Sequence, residues 1–250
     1  MSRNFELLHE AGRVQGMLRQ RVEEAVPDSP VFVPGTPTLP IEGMAREEVT
    51  KLVQRLFLMP GGPAARQVVF AGTEQGNGCS WICARVADIL ASQVAGSVCI
   101  VDCDMRYPTL HTEFQVSNHY GLAEALLGGE PIRQFAQQLS RPNLWLLSCG
   151  SENEHSQQLL TLEKMRKRMA ELRAEFDYVL LDVAPLSISN HAITLGNWCD
   201  GATLILKANS STRSATRKLL EQLRAANVSI LGAVLNQRTF PIPHSIYSRL

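Results

Sequence analysis

The chain has 250 residues, 45% of them hydrophobic, with 24 Lys+Arg against 24 Asp+Glu and no formal net charge. That balance supplies no basic field for nucleic acid, no apolar run reaches the ~18 residues of a membrane-crossing helix, and the charged opening MSRNFELLHEAGR does not read as a secretory signal. The six cysteines (79, 83, 99, 103, 149 and 199) are scattered through apolar segments, a pattern of reduced cytosolic thiols and not of a disulfide framework.

In chain order, residues 1–26 carry a loose apolar stripe (Phe5, Leu8, Ala11, Met17, Leu18) among charges and predict an amphipathic helix, free to dock on a partner or on the domain itself. Residues 27–43 hold Pro27, Pro30, Pro34, Pro37 and Pro40 and predict an extended linker. Arg46–Leu58 predicts a second amphipathic helix, with Val49, Leu52, Val53, Leu56 and Phe57 on one side and a Pro/Gly stop after it.

From Arg66 onward, short apolar runs alternate with helical spacings. Strands are predicted at Val68–Ala71, Val98–Val101, Leu144–Leu147, Tyr178–Leu181, Ala202–Leu206 and Ile230–Leu235. Helices are predicted from Leu122, over Leu159–Phe176 and over Thr212–Ala226. This alternation gives an α/β fold, a three-layer arrangement with a mainly parallel sheet and helices on both faces. Ligands in such sheets sit at the carboxyl ends of the strands. Three strands here end in chemistry: a glycine loop after Ala71, Asp102 and Asp104 after Val101, and Asp182 after Leu181.

The loop reads Gly72-Thr-Glu-Gln-Gly76-Asn-Gly78-Cys79-Ser80, between a predicted strand and a predicted helix. Glycines let the backbone turn its N–H groups inward at an anion, and the helix start adds unpaired N–H groups and a positive dipole end. Against the pattern G-x-x-x-x-G-K-[ST], Gly78 and Ser80 fit, Thr73 takes the place of the first glycine and Cys79 the place of the lysine. A thiol replaces the fixed charge that reaches the outer phosphates, a loss of about 1.5–3 kcal/mol in binding. In isolation the loop is also an ordinary strand–helix turn, and each aspartate a cap or a surface residue; three such features on one sheet edge favour the phosphate site. The gap between Cys79 and Cys83, repeated between Cys99 and Cys103, reads as small core residues before it reads as a metal site. Cys79 at a helix start is expected to be acidic and reactive. The basic run from Lys164 to Arg168 reads as a solvated helix face, and Trp81 either packs in the core or fills space a nucleotide would use.

TEQGNGCS (73–80), CIVDCDMRYPTLH (99–111), YGLAEALLGG (120–129), LWLLSCG (144–150), FDYVLLDVAPL (176–186) and residues 200–237 together resemble the cytoplasmic domain of bacterial tyrosine kinases, the P-loop autokinases of capsule and exopolysaccharide synthesis. The resemblance implies a P-loop NTPase-like domain over 44–238 and a tail over 239–250. It implies that Gln75, Gly76, Asn77, Gly78, Cys79 and Ser80 hold the phosphates of ATP or ADP. Asp102 and Asp104 would be catalytic, and Ser80, Asp102 and Asp182 would hold Mg²⁺. It implies a membrane polysaccharide co-polymerase, or its cytoplasmic segment, as partner, oligomerisation through a helix carrying Glu48, Lys51 and Arg55, and a cytoplasmic place beside the inner membrane. Two departures stand out: Cys79 replaces the lysine, and the tail holds one tyrosine, Tyr247, where the family carries a phosphorylated cluster. Two readings compete. One is a non-catalytic regulator or scaffold. The other is a working kinase or ATPase whose missing cation comes from Arg85, Arg106 or a neighbouring subunit.

Overall fold

The computed structural model describes residues 31–33, 35, 39–59, 64–151 and 162–238. In chain order the elements are β1 (Val31–Phe32), α1 (Gly43–Phe57), β2 (Gln67–Gly72), α2 (Cys79–Gln93), β3 (Val98–Asp102), α3 (Leu110–Glu113), α4 (Leu122–Leu127), a 3₁₀ turn (Ile132–Phe135), β4 (Gln137–Gln138), β5 (Leu144–Leu147), α5 (Leu162–Glu175), β6 (Tyr178–Val183), α6 (His191–Gly196), β7 (Gly201–Lys207), α7 (Arg213–Ala225) and β8 (Ile230–Asn236). The eight strands form one sheet in the order β1-β4-β5-β3-β6-β2-β7-β8. Every neighbouring pair is parallel except β4 with β5.

The sheet is the middle of three layers, because its central strands turn apolar side chains to both faces. Along β2, Val69 and Ala71 face one core while Val68 and Phe70 face the other. On β3, Cys99 and Val101 oppose Val98 and Ile100 in the same way. Helix α1 buries Val49, Val53, Leu56 and Phe57, and with Ile82, Val86 and Leu90 of α2 it covers one face. Met165, Met169 and Leu172 of α5, with α4, α6 and the 3₁₀ turn, cover the other.

The structure departs from the sequence reading in three places. Within the stretch read as a linker, β1 lies parallel to β4, Val33 donates to the Gln138 carbonyl at 2.9 Å, and Leu39 and Ile41 are buried. Its described residues therefore pack on the domain. Arg168, read as part of a solvated face, is 4% exposed: its guanidinium donates to the carbonyls of Ala125, Gly128 and Glu130, satisfying backbone acceptors around the end of α4. The strand β4 and the short helix α6 carry too little periodicity to read. The predicted helix at residues 1–26 and the tail at 239–250 lie outside the described residues.

Candidate phosphate-binding site

Strand β2 ends at Gly72, six residues form a loop, and α2 starts at Cys79. Gly76 and Gly78 take positive φ, 80° and 78°, which turns the chain back on itself between strand and helix. At Gly78 a side chain is excluded twice over, by φ and by Asn236 Nδ2, which a Cβ would meet at 2.5 Å. The loop is held from inside by Asn77, 1% exposed, whose amide donates to Thr73 Oγ1 at 2.9 Å and to the Ile205 carbonyl at 3.0 Å while accepting from the Glu74 N–H at 3.1 Å. It is held from outside by β8, where Asn236 Nδ2 donates to the Asn77 carbonyl at 2.7 Å and Gln237 Nε2 to the Gly76 carbonyl at 3.1 Å. The segment after β7 adds a contact of 3.1 Å between Ser211 Oγ and Thr73 Oγ1, and Ser210 Oγ donates to Glu74 at 3.3 Å. Thr73 is not among the positive-φ residues, so the missing first glycine removes no needed conformation.

Strands β3 and β6 are neighbours in register, which places Asp102 opposite Asp182. Both are buried. Asp102 accepts three backbone N–H bonds, from Asp104 at 3.2 Å, Thr109 at 3.1 Å and Leu110 at 3.0 Å. Burial, and then the Asp182 charge, nevertheless push its carboxyl up from the ordinary value. Asp182 is pushed up by burial, against the Ser80 hydroxyl and the Cys79 thiol, which lie beside it as donors. Its Oδ1 is buried with no hydrogen-bond partner. Asp104 lies one turn further on and accepts the N–H groups of Arg106 and Tyr107, each at 3.1 Å. Two facing carboxylates, one of them with an unsatisfied oxygen, and a serine hydroxyl are a hard-oxygen donor set, and they fit Mg²⁺.

Cys79 behaves differently from the sequence expectation. Burial first, then Asp182 and Cys83, push its thiol well above the ordinary range. The positive helix end is outweighed, and Cys79 is a neutral thiol directed at a carboxylate, where the usual loop would carry a charge. Cys83 and Cys103, both buried, are raised for the same first reason, and no group of three or more His, Cys, Asp or Glu side chains placed to hold a metal ion occurs among the described residues.

The structure thus brings Gln75–Ser80, Asp102, Asp104 and Asp182 to one sheet edge, and Tyr247 lies outside the described residues. Arg85 cannot take the lysine's part from here. It is 6% exposed, bonds Glu113 at 2.7 Å and stacks on the Trp81 ring at 3.9 Å, so its charge is already committed. Trp81, partly buried, packs against the core. Residues that sequence reasoning passed over also meet here: Asn236, Gln237 and Ser211 through their loop bonds, and His191, whose imidazole is lowered by burial and senses Asp104 and Arg106. Tyr107, three residues after Asp104, is 51% exposed. Its only sequence signal was its place inside the D-x-D-x-R-x-P run.

Residues 65–232 match the family model described as cellulose biosynthesis protein BcsQ. The tyrosine-protein kinase YwqD of Bacillus subtilis (strain 168) is 29% identical over 182 residues, 73% of this chain and 76% of that protein. The tyrosine-protein kinase etk of Escherichia coli (strain K12) is 24% identical over 169 residues, 68% of this chain but 23% of that protein, so the chain spans under a quarter of some relatives it matches. The crystal structure of the chimerical protein CapA2B2 superposes with a TM-score of 0.73 at 21% identity, covering 89% of this chain and all of that one, a likeness of fold.

Proposed function

The chain belongs to the P-loop family that includes BcsQ-type proteins and bacterial tyrosine kinases, and from that premise we propose that it serves exopolysaccharide or capsule synthesis and export as a catalytically impaired regulator or scaffold. The observation that carries this is Cys79: an uncharged thiol, directed at Asp182, stands at the lysine position. In phosphoryl transfer nearly all catalysis is positioning and charge stabilisation, so a missing cation lowers the rate as well as the affinity. The one buried arginine of α2, Arg85, is committed to Glu113.

The loop backbone from Gln75 to Cys79, with Ser80, would cradle phosphates, and Ser80, Asp102 and Asp182 would hold Mg²⁺, which supplies charge neutralisation at the phosphates when bound. Asp102 would orient an attacking hydroxyl, and Asp104 would fix the Arg106–Tyr107 turn beside it. No helix among the described residues is long and apolar enough to cross a membrane; a place at the inner membrane would come through a membrane partner, with residues 1–26 docking on the co-polymerase's cytoplasmic segment or on another copy of this chain. The protein would associate with copies of itself through the face of α1 carrying Glu48, Lys51 and Arg55.

The second reading, a working kinase, is favoured by the intact convergence of Ser80, Asp102, Asp104 and Asp182 and by the exposed Tyr107 beside them. Mass spectrometry after incubation with Mg-ATP separates the two. The impaired reading expects no phosphotyrosine at Tyr107 or Tyr247. Robust phosphate at either site, lost in Asp102→Asn, establishes the kinase.

A further inference from the structure

Among the described residues, strand β8 is the outermost of the sheet, with β7 as its one strand neighbour. Ordinarily a crossing helix would cover such an edge. Here α7 buries only Leu223 completely, and among the described residues nothing covers Leu235 at the far end of β8, which is 57% exposed. Between them runs a groove of about 950 Å³ with an apolar floor of Leu206, Leu220 and Leu235 and a rim of Arg213, Arg217 and Arg224. The helix carries Arg213, Arg217, Lys218 and Arg224 against one acid, Glu221, and among the described residues none of these four cations is in an ion pair, unlike Arg85, Arg133, Arg141 and Arg173. In a chain of zero net charge this is a local basic excess around exposed Leu235 and the half-buried Leu206 and Leu220.

We propose that this groove docks an acidic segment of a partner protein, anchored by apolar side chains on Leu206 and Leu235 and steered by the arginine rim. The charge decides the partner's chemistry: like-charged partners are excluded, and glutamates or aspartates reach the rim while leucine-sized groups fill the floor. The same face is wired to the phosphate loop at both ends. Ser210 and Ser211, just before α7, hold Glu74 and Thr73, and Asn236 and Gln237, at the end of β8, hold the carbonyls of Asn77 and Gly76. A segment seated here therefore biases the loop, and by linkage a loop ligand biases the segment by the same factor. Docking itself is independent of nucleotide; its effect on the loop rests on the phosphate-site reading, and crosslinking and titration separate the two.

The test uses the full chain with a benzoylphenylalanine photo-crosslinker replacing exposed Ser214 on the rim. The probe is a short fluorescent peptide of alternating glutamate and leucine, with a lysine–leucine peptide and phosphatidylglycerol vesicles as competitors. The glutamate peptide should bind, weaken with salt, crosslink at position 214, and lose at least about tenfold affinity in Leu235→Asp and in the Arg213→Glu/Arg217→Glu pair, at unchanged melting temperature. Equal binding of the lysine peptide, preference for vesicles, full affinity in both variants, or crosslinks to residues 239–250 or to a second copy would each overturn the assignment. Bound peptide should shift the Mg-ADP dissociation constant at least about threefold. A Kd that does not move overturns the coupling alone. No Mg-ADP binding in any condition removes the coupling together with the phosphate-site reading, and the crosslink still decides the docking.

Discussion

At Cys79 the sulfur is kept neutral by burial and by the neighbouring Asp182, so it offers a weak donor to a carboxylate and nothing to a phosphate. Its alkylation should be slow. Mass-mapped labelling of the folded protein by a maleimide at neutral pH is expected to leave Cys79 largely unmodified, and rapid labelling there would show an exposed, acidic thiol instead. The carboxylates beneath it make a second prediction. Asp102 and Asp182 are both raised in the fold above the ordinary value of 3.8. A raised acid binds its proton more tightly folded than unfolded, so stability is fully present below that value and is lost as pH climbs from it towards neutrality. Urea melts across pH 4–8 should show the metal-free protein weakening over that range, and Asp182→Asn should flatten the trend. A profile unchanged by Asp182→Asn would mean that the pair does not titrate as described. Neither effect was legible in the sequence, where Asp182 reads as a strand-ending acid able to hold Mg²⁺ and Cys79 as a reactive thiol in the lysine's place. Burial, and the charge that register places opposite, set both.

For the loop and its flanking helix, geometry is fixed by bonds of very different range. The two glycines with positive φ, and the strand and helix either side, follow from local sequence and were readable there. The clamp from β8 was not, because Asn236 and Asn77 are 159 residues apart and meet only once β7 and β8 are paired beside β2. Asn77→Ala would leave the part-buried Glu74 N–H without its partner and should cost about 1–3 kcal/mol. Gly78→Ala imposes an unfavourable φ and a clash with Asn236, and should cost a similar 1–3 kcal/mol or so. Denaturant midpoints measure both, and changes within error would show a loop that rearranges freely. On α2, Arg85→Met breaks the pair with Glu113, whose side chain is 27% exposed. The cost should be about 1–3 kcal/mol, below the ~3–5 of a wholly buried pair, with affinity for Mg-ADP unchanged. A large loss of nucleotide binding in a stable Arg85→Met protein would restore Arg85 as the substitute cation.

The molecule as a whole is a parallel sheet whose strands β3, β6 and β2 lie side by side and deliver two carboxylates and a glycine loop to one edge. The two-sided apolar strands made that fold class readable, since Val68–Ala71 and Val98–Val101 have no polar face to offer water. The strand order was not readable, and neither were β1 and β4: two-residue strands such as Val31–Phe32 have no periodicity, and the prolines around β1 spell a tether. What distinguishes the proposed phosphate site is a frame with one charge removed. Isothermal titration of the full chain with Mg-ATP, beside Cys79→Lys, measures that charge directly. The wild-type chain should bind weakly and Cys79→Lys should bind at least about tenfold more tightly, ~1.4 kcal/mol or more. Tight binding by the wild-type chain, unchanged by Cys79→Lys, would contradict it.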